Sequence, residues 1–203
     1  MSAEVDPRTR RRLPPEARRA HLLDAAGDLV ARDGIGAVTM ERVAEEAGVS
    51  RGLVYNYFDN AESIVRAIHE TEVAVLQEAT DAAVEAAGDD LRTLVEQVSR
   101  AWMDRFYERG PLLAALFSPQ PPDSPLADVE RARGAATHRM WTAAYASATG
   151  VDDRTAADLT AMLLYAFSGA LNQLAVGRTP DQLTETYVEL AMGALDRFTR
   201  RRG

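Results

Sequence analysis

Five residues between positions 50 and 56 are of the small, polar or aromatic types that suit contact with phosphates and the edges of bases. They are Ser50, Arg51, Gly52, Tyr55 and Asn56. Arginine pairs with guanine, asparagine pairs with adenine, and hydroxyl groups bond phosphate oxygens. Gly52 would be costly in a helix kept only for packing, but it lets another backbone come close. These residue types at this spacing predict a surface that contacts nucleic acid.

Such side chains need rigid elements to present them, and the sequence around them predicts two short helices joined by a sharp turn. Thr39 is the expected N-cap of the first helix, Gly48 closes it, and Ser50 caps the second. The turn at residues 47–50 has the length and the glycine that a helix-turn-helix requires. A generic helix pair with turn-like residues in the middle is the alternative.

The rest of the chain also has helical periodicity, and no segment alternates convincingly with the two-residue period of a strand. One helix is predicted before the turn, from about residue 15 to Gly34, and Asp59 is the predicted N-cap of the helix that follows the turn. The later helices are predicted at about 61–87, 89–108, 110–117, 125–149, 152–176 and 180–200. The expected fold is therefore all-α, with an N-terminal three-helix unit followed by a six-helix bundle.

The segment from residue 39 to residue 62 resembles the DNA-binding signature of the TetR family of transcriptional regulators. The matching residues are Thr39, Val43-Ala44, Ala47-Gly48-Val49-Ser50-Arg51-Gly52, Val54-Tyr55, Tyr57-Phe58 and Glu62. The motif resemblance covers roughly residues 15–70, and beyond it only length and helix count match. It implies a helix-turn-helix DNA-binding domain at 15–60 and a helical ligand-binding and dimerisation domain at 61–203. The arginine run and the prolines before residue 15 predict a flexible arginine-rich arm at 1–14.

The resemblance also implies which residues contact DNA. In the two short helices these are Thr39, Arg42, Ser50, Arg51, Gly52, Tyr55, Asn56 and Tyr57. Arg51 and Asn56 are the expected base readers, and Gly52 is expected to let the helix approach the groove. The hydroxyl groups of Thr39 and Ser50 are expected at phosphates. Tyr55 is expected at a base or a phosphate, Tyr57 at a phosphate, and Arg42 is a weaker phosphate candidate.

One position departs from the family pattern, because Ala61 stands where a lysine is usual, just before Glu62. A usual phosphate contact is therefore missing, and Asp59 adds a negative charge nearby. The N-terminal arm could compensate by reaching the adjacent minor groove. The arginines that would do so are Arg10, Arg11 and Arg12.

The resemblance implies that the C-terminal bundle holds a small-molecule effector and forms a homodimer through its last two helices, 152–176 and 180–200. An almost wholly apolar stretch at 159–176 needs neighbours on several sides, although packing within one chain is the alternative. A mostly apolar pocket with a few polar groups would suit the effector, although each candidate residue could belong to the core instead. The candidates are Trp102, Phe106, Tyr107, Phe117, His138, Trp141, Tyr145, Tyr165 and Asn172.

The net charge of −8 disfavours binding to a polyanion when it is taken as a sum. Its distribution reverses that inference. Residues 1–58 hold nine arginines and nine acids, and residues 59–203 carry the whole negative excess. Residues 8–23 are net +5. We therefore expect a DNA-facing N-terminal part and an acidic bundle that faces away from the duplex.

Composition and motifs also exclude several classes of protein. The chain has no cysteine, which excludes disulfides, thiol catalysis and thiolate zinc sites. Its three histidines lack the Glu-x-x-His spacing of di-iron bundles, and no phosphate-binding loop, dinucleotide fingerprint or nucleophile elbow occurs. We predict no enzyme activity, no cofactor and no metal site. No segment is predicted to span a membrane, so a cytoplasmic location is expected.

The prediction for the whole chain is a TetR-like repressor that a small, mostly apolar effector releases from a palindromic operator. A DNA-binding or architectural protein that responds to no ligand is the main alternative. A helical enzyme is a remote one.

Overall fold

The computed structural model describes residues 14–199, and within that range the chain forms eight α-helices and one short 3-10 turn at Ile35–Ala37. The helices are α1 (Pro15–Asp33), α2 (Met40–Glu46), α3 (Arg51–Tyr55), α4 (Ala61–Ala87), α5 (Leu91–Phe117), α6 (Ala127–Thr149), α7 (Asp153–Leu174) and α8 (Pro180–Thr199). The predicted all-α class, with three N-terminal helices before a helical bundle, is confirmed.

Between α3 and residue 199 the chain has five helices where six were predicted. The prediction placed a helix end before Gly110, but the chain continues through Pro111 as the single kinked helix α5. Only Arg109 leaves helical geometry, with φ −131° and ψ 28°. A proline at the start of a resumed helical segment has no amide hydrogen bond to lose, so the helix bends at this point and continues.

Local side-chain caps form the N-termini of the two short helices as predicted. The Arg42 amide donates to Thr39 Oγ1 at 3.1 Å, and the Leu53 amide donates to Ser50 Oγ at 3.3 Å. Gly48 has φ +63°, a value that L-residues rarely adopt, so glycine is required at the sharp turn. These three residues define the limits of the helix-turn-helix.

The N-terminus of α4 is capped by Asn60 and not by Asp59 as predicted. The backbone N–H of Ser63 donates to Asn60 Oδ1 at 2.8 Å, and the backbone N–H of Asn60 donates to Ser63 Oγ at 3.4 Å. Asn60 takes this role because its backbone is extended, at φ −159° and ψ 174°, immediately before the first helical residue. The prediction was therefore one residue early.

Two hydrophobic cores support the molecule, and α4 contributes to both. The first core joins α1, α2 and α3 to the start of α4, and it includes Leu22, Val43, Val54 and Ile64, all fully buried. Its members extend past the predicted domain boundary at residue 60 and include Leu116 of α5. Burial of each such side chain contributes roughly 1.5–3 kcal/mol, so the N-terminal unit packs firmly on the bundle.

The second core joins the C-terminal part of α4 to α5, α6, α7 and α8, and it contains Val95, Met103, Trp141 and Leu195. Within residues 14–199 no helix combines the length and the apolar character needed to cross a bilayer.

Candidate nucleic-acid interface

The helix-turn-helix is held rigidly from its inner side. The Val49 amide donates to the Ala44 carbonyl at 2.9 Å across the turn, and the His21 ring of α1 bonds the Ala47 carbonyl at 3.0 Å. Val43 and Val54 are fully buried between the helices. Because its backbone is fixed by packing and hydrogen bonds, α3 can present its outer side chains at constant positions.

The outer face of α3 is open to solvent. Ser50, Arg51, Gly52, Tyr55 and Asn56 are all exposed, as the sequence analysis requires of DNA-contacting residues. A Cβ added at Gly52 would meet nothing within 4 Å, so no neighbour among residues 14–199 requires a glycine at this position. The missing side chain leaves room for an external backbone or base edge to come close at this point.

Two other predicted contact residues are less free. Tyr57 is half-buried and packs against the first core. Arg42 donates to the Ala37 carbonyl at 3.4 Å and pairs with Asp33. The hydrogen bond from Arg42 holds the pKa of Asp33 below its usual range. A phosphate contact by Arg42 would have to share or replace the Asp33 partner.

Arg51 has two partners within the same domain. Its Nη1 lies 2.5 Å from Oε1 of Glu41 on α2, and its Nη2 donates to the Tyr55 hydroxyl at 3.2 Å. The guanidinium carbon also lies 5.5 Å from the centroid of the Tyr55 ring. The Tyr55 hydrogen bond, and then the charge of Glu41, raise the pKa of Arg51 above its usual value.

The contact of Glu41 with Arg51 is not predicted from the sequence. Sequence spacing indicates the contact of Arg51 with Tyr55 but not its contact with Glu41. Tyr55 is four residues after Arg51 on the same helix, a spacing that brings side chains together. Glu41 is ten residues earlier on another helix, so no spacing rule within one helix identifies it.

The predicted effector residues do not form one site. Trp102, Phe106 and Phe117 lie together, with ring centroids 5.7 to 6.5 Å apart. Trp141 and Tyr145 stack on each other at 5.4 Å in the second core. Trp102, Phe106 and Phe117 are half-buried. They are therefore the predicted effector residues that lie together and remain partly accessible to a ligand.

The remaining four predicted effector residues lie elsewhere. Tyr107 is 62% exposed on α5, Tyr165 is 81% exposed on α7, and Asn172 is also exposed. His138 lines a surface groove of about 290 Å³ between α6 and α7, where the Thr142 hydroxyl is 3.4 Å from its Nδ1. The arm residues Arg10, Arg11 and Arg12 lie outside the described residues.

A buried ionic network, also missed by the sequence analysis, lies where α4 meets α5. Glu72 is 2% exposed, and its Oε2 accepts from Arg105 Nε at 2.9 Å and Nη2 at 2.7 Å. Its other oxygen lies 3.1 Å from Arg109 Nη1. A Cβ on Gly27 of α1 would stand 3.2 Å from Arg109 Nη2, so this network touches the N-terminal unit.

A second buried pair joins α4 to α6. His69 Nε2 is 2.6 Å from Glu130 Oε1, and both Glu130 oxygens accept from Arg133 at 2.7 Å. Burial would raise the pKa of Glu130, but the hydrogen bonds from His69 and Arg133 outweigh it and lower this pKa. The Arg133 guanidinium lies 4.7 Å from the centroid of the Phe117 ring, next to the aromatic cluster.

An exposed recognition helix on a rigid turn, followed by a separate helical bundle, is the architecture of helix-turn-helix DNA-binding regulators. Residues 22–68 match the family model described as bacterial regulatory proteins, tetR family. The N-terminal part of the chain is therefore similar to the DNA-binding domain of the TetR family of transcriptional regulators.

The relatives agree with this class. The HTH-type transcriptional regulator BetI of Paraburkholderia phytofirmans is 31% identical over 98 residues, which are 48% of this chain and 50% of BetI. The chain therefore spans about half the length of the curated relatives it matches. A TetR-like transcriptional regulator from Rhodococcus sp. RHA1 has a similar structure, with TM-score 0.77 and 20% identity over 91% of this chain and 99% of that one.

A further similar structure is that of the transcriptional regulator FadR from Bacillus subtilis in complex with stearoyl-CoA. It has TM-score 0.66 and 14% identity, and the match covers 85% of this chain and 96% of that chain. At such identities the two structural matches show the shared fold.

Proposed function

We propose that this protein is a TetR-family repressor that binds a palindromic operator as a homodimer and is released by a small, mostly apolar effector. The observation that carries the proposal is the open outer face of α3, where Arg51, Gly52, Tyr55 and Asn56 are presented on a backbone held by the first core. Arginine and asparagine are side chains that read guanine and adenine edges in the major groove.

The polar groups around this face suit the phosphate backbone. The hydroxyl oxygens of Thr39 and Ser50 each accept a hydrogen bond from a backbone N–H group. The hydrogen of each hydroxyl group can still be donated to a phosphate oxygen. Both residues are exposed at the start of their helices. We propose that they set the register of the domain on DNA, while Arg51 and Asn56 supply the specificity.

The half-buried aromatic cluster supports an apolar effector. Trp102, Phe106 and Phe117 lie together in the bundle, and the Phe117 ring contacts His69 of α4, at a centroid distance of 5.6 Å. Since α4 also belongs to the first core, a ligand against this cluster would act on the helix that supports the DNA-binding domain. The similar FadR structure contains stearoyl-CoA, which makes long-chain acyl-CoA a suitable first probe.

Selection of genomic fragments bound by the full-length protein tests the function. We expect enrichment of a palindrome whose half-sites are separated by about one helical turn, roughly 34–36 Å. The selected fragment is then titrated with long-chain acyl-CoA and other apolar metabolites, with release as the expected result for the true effector. Enrichment of no sequence over random DNA would contradict the proposal. A selected operator that no ligand releases would favour the ligand-independent alternative.

The proposed homodimer uses an exposed apolar stripe on the last two helices. Met162 and Tyr165 of α7 are 68% and 81% exposed, and Leu190 of α8 is also exposed. Gly169 is exposed on α7, seven residues after Met162. Gly193 is exposed on α8, three residues after Leu190. Large apolar side chains exposed three residues apart on one helix, such as Met162 and Tyr165, are typical of a surface that binds a partner.

The variant Tyr165→Glu is expected to be monomeric. In a twofold interface the substitution buries two unpaired carboxylates, so we expect the dimer dissociation constant to rise about 100-fold or more. Sedimentation velocity measures this, and operator affinity should fall with it. Tyr107→Glu is the matched control, because it makes the same change at another exposed tyrosine. If both variants remain dimeric, the interface lies elsewhere.

A further inference from the structure

Glu41 contacts the predicted base-reading arginine although it lies on the other helix of the helix-turn-helix. Its Oε1 is 2.5 Å from Arg51 Nη1, and Tyr55 bonds Nη2 of the same guanidinium at 3.2 Å. The Glu41 and Arg51 side chains are 50% and 57% exposed. An ion pair as exposed as this contributes little to folding stability.

Glu41 also opposes binding to DNA in general. A carboxylate beside the recognition helix repels phosphates, and it neutralises the cation that would otherwise attract them. Glu41 therefore adds little to folding stability and lowers the affinity for DNA of any sequence. Its effect on the geometry of Arg51 is different, because two partners on two nitrogen atoms restrict the guanidinium more than either would alone.

We propose that Glu41 is a positioning residue for Arg51 and thereby sets sequence specificity; this inference rests on the DNA-binding function proposed above. Bidentate pairing with guanine O6 and N7 needs the guanidinium in one orientation, whereas a phosphate accepts it in many. Glu41 and Tyr55 hold the group in one orientation before DNA arrives. The negative charge of Glu41 also reduces the attraction of Arg51 to phosphates of any sequence.

The variant Glu41→Gln separates these effects. We expect its affinity for non-operator DNA to rise about 5- to 10-fold at moderate salt, with a plot of log affinity against log salt that steepens by about one unit. Affinity for the operator should rise less or fall, so the ratio of the two affinities falls. Selection of bound sequences should show a flatter base preference at the position that Arg51 reads.

Glu45→Gln is the matched control for charge. Glu45 is one turn further along α2, exposed, and has no ion pair within residues 14–199. This variant makes the same charge change but leaves the Arg51 pair intact. We expect it to alter the affinity for all DNA sequences by a common factor and to leave the base preference unchanged.

The double variant Glu41→Gln/Arg51→Ala tests whether Glu41 acts through Arg51. If it does, the double variant has the same base preference as Arg51→Ala alone. The inference is overturned if Glu41→Gln keeps the base preference of the parent protein, or if the change in preference persists without Arg51. Failure of the proposed function looks different, because the parent protein itself would then select no sequence.

Discussion

Arg51→Ala is expected to lower affinity for each operator half-site by about 5- to 150-fold, or roughly 1–3 kcal/mol. Arg51 is exposed on α3 and held at a defined orientation by Glu41 and Tyr55. Loss of a bidentate pair to guanine removes discrimination at one base pair, so the preference there should relax while the others remain. Titration of the variant against a set of single-base operator changes measures both effects.

Arg42→Ala is the control for this prediction. Arg42 is paired with Asp33 and bonds the Ala37 carbonyl, so its proposed DNA contact is at most a phosphate. Its loss should weaken binding to all sequences alike, with a smaller salt dependence. If the affinities of Arg51→Ala for the operator sequences follow the same order as those of the parent protein, Arg51 does not read a base.

Glu72→Ala is expected to lower the free energy of unfolding by about 3 kcal/mol. Glu72 is almost fully buried and accepts hydrogen bonds from Arg105, while Arg109 contacts its other oxygen. Its removal takes the buried carboxylate away from both guanidinium groups, and Arg105 keeps only its exposed pair with Glu108 at 3.3 Å. Both arginines keep partial access to solvent, which places the effect at the lower end for a broken buried pair. Denaturation by urea measures it.

Two further variants make the Glu72 prediction specific. Glu70→Ala removes an exposed acid from the same helix and should change stability by less than about 0.5 kcal/mol. Glu72→Leu combined with Arg105→Met replaces the buried pair by apolar groups and should recover much of the loss. Equal stabilities for Glu72→Ala and Glu70→Ala would show that the network contributes nothing to folding.

The N-terminal domain could be predicted closely because its signals are local. Thr39, Gly48 and Ser50 act within four residues of their own position, through a cap or a positive φ. The one error there, Asp59 in place of Asn60, concerns two neighbours that are both good N-cap residues. Only the backbone conformation of Asn60 distinguishes them.

The bundle could be predicted less closely. Periodicity shows which residues share a side of a helix, but α7 is apolar on several sides, so it does not show which side faces the core. Leu163 is buried whereas Tyr165 is exposed, although both lie in the same apolar stretch. Periodicity therefore does not distinguish a pocket position from a surface one at Tyr165, which the structure places on the surface.

The sequence by itself determined the all-helical class, the limits of the helix-turn-helix and the residue types on its recognition helix. Each depends on interactions within one or two turns of the chain. Only the tertiary structure decided that Glu41 meets Arg51, that Glu72 is buried between two arginines, and which predicted effector residues lie together. These contacts join residues from separate helices, so they depend on how the helices pack, which no local spacing specifies.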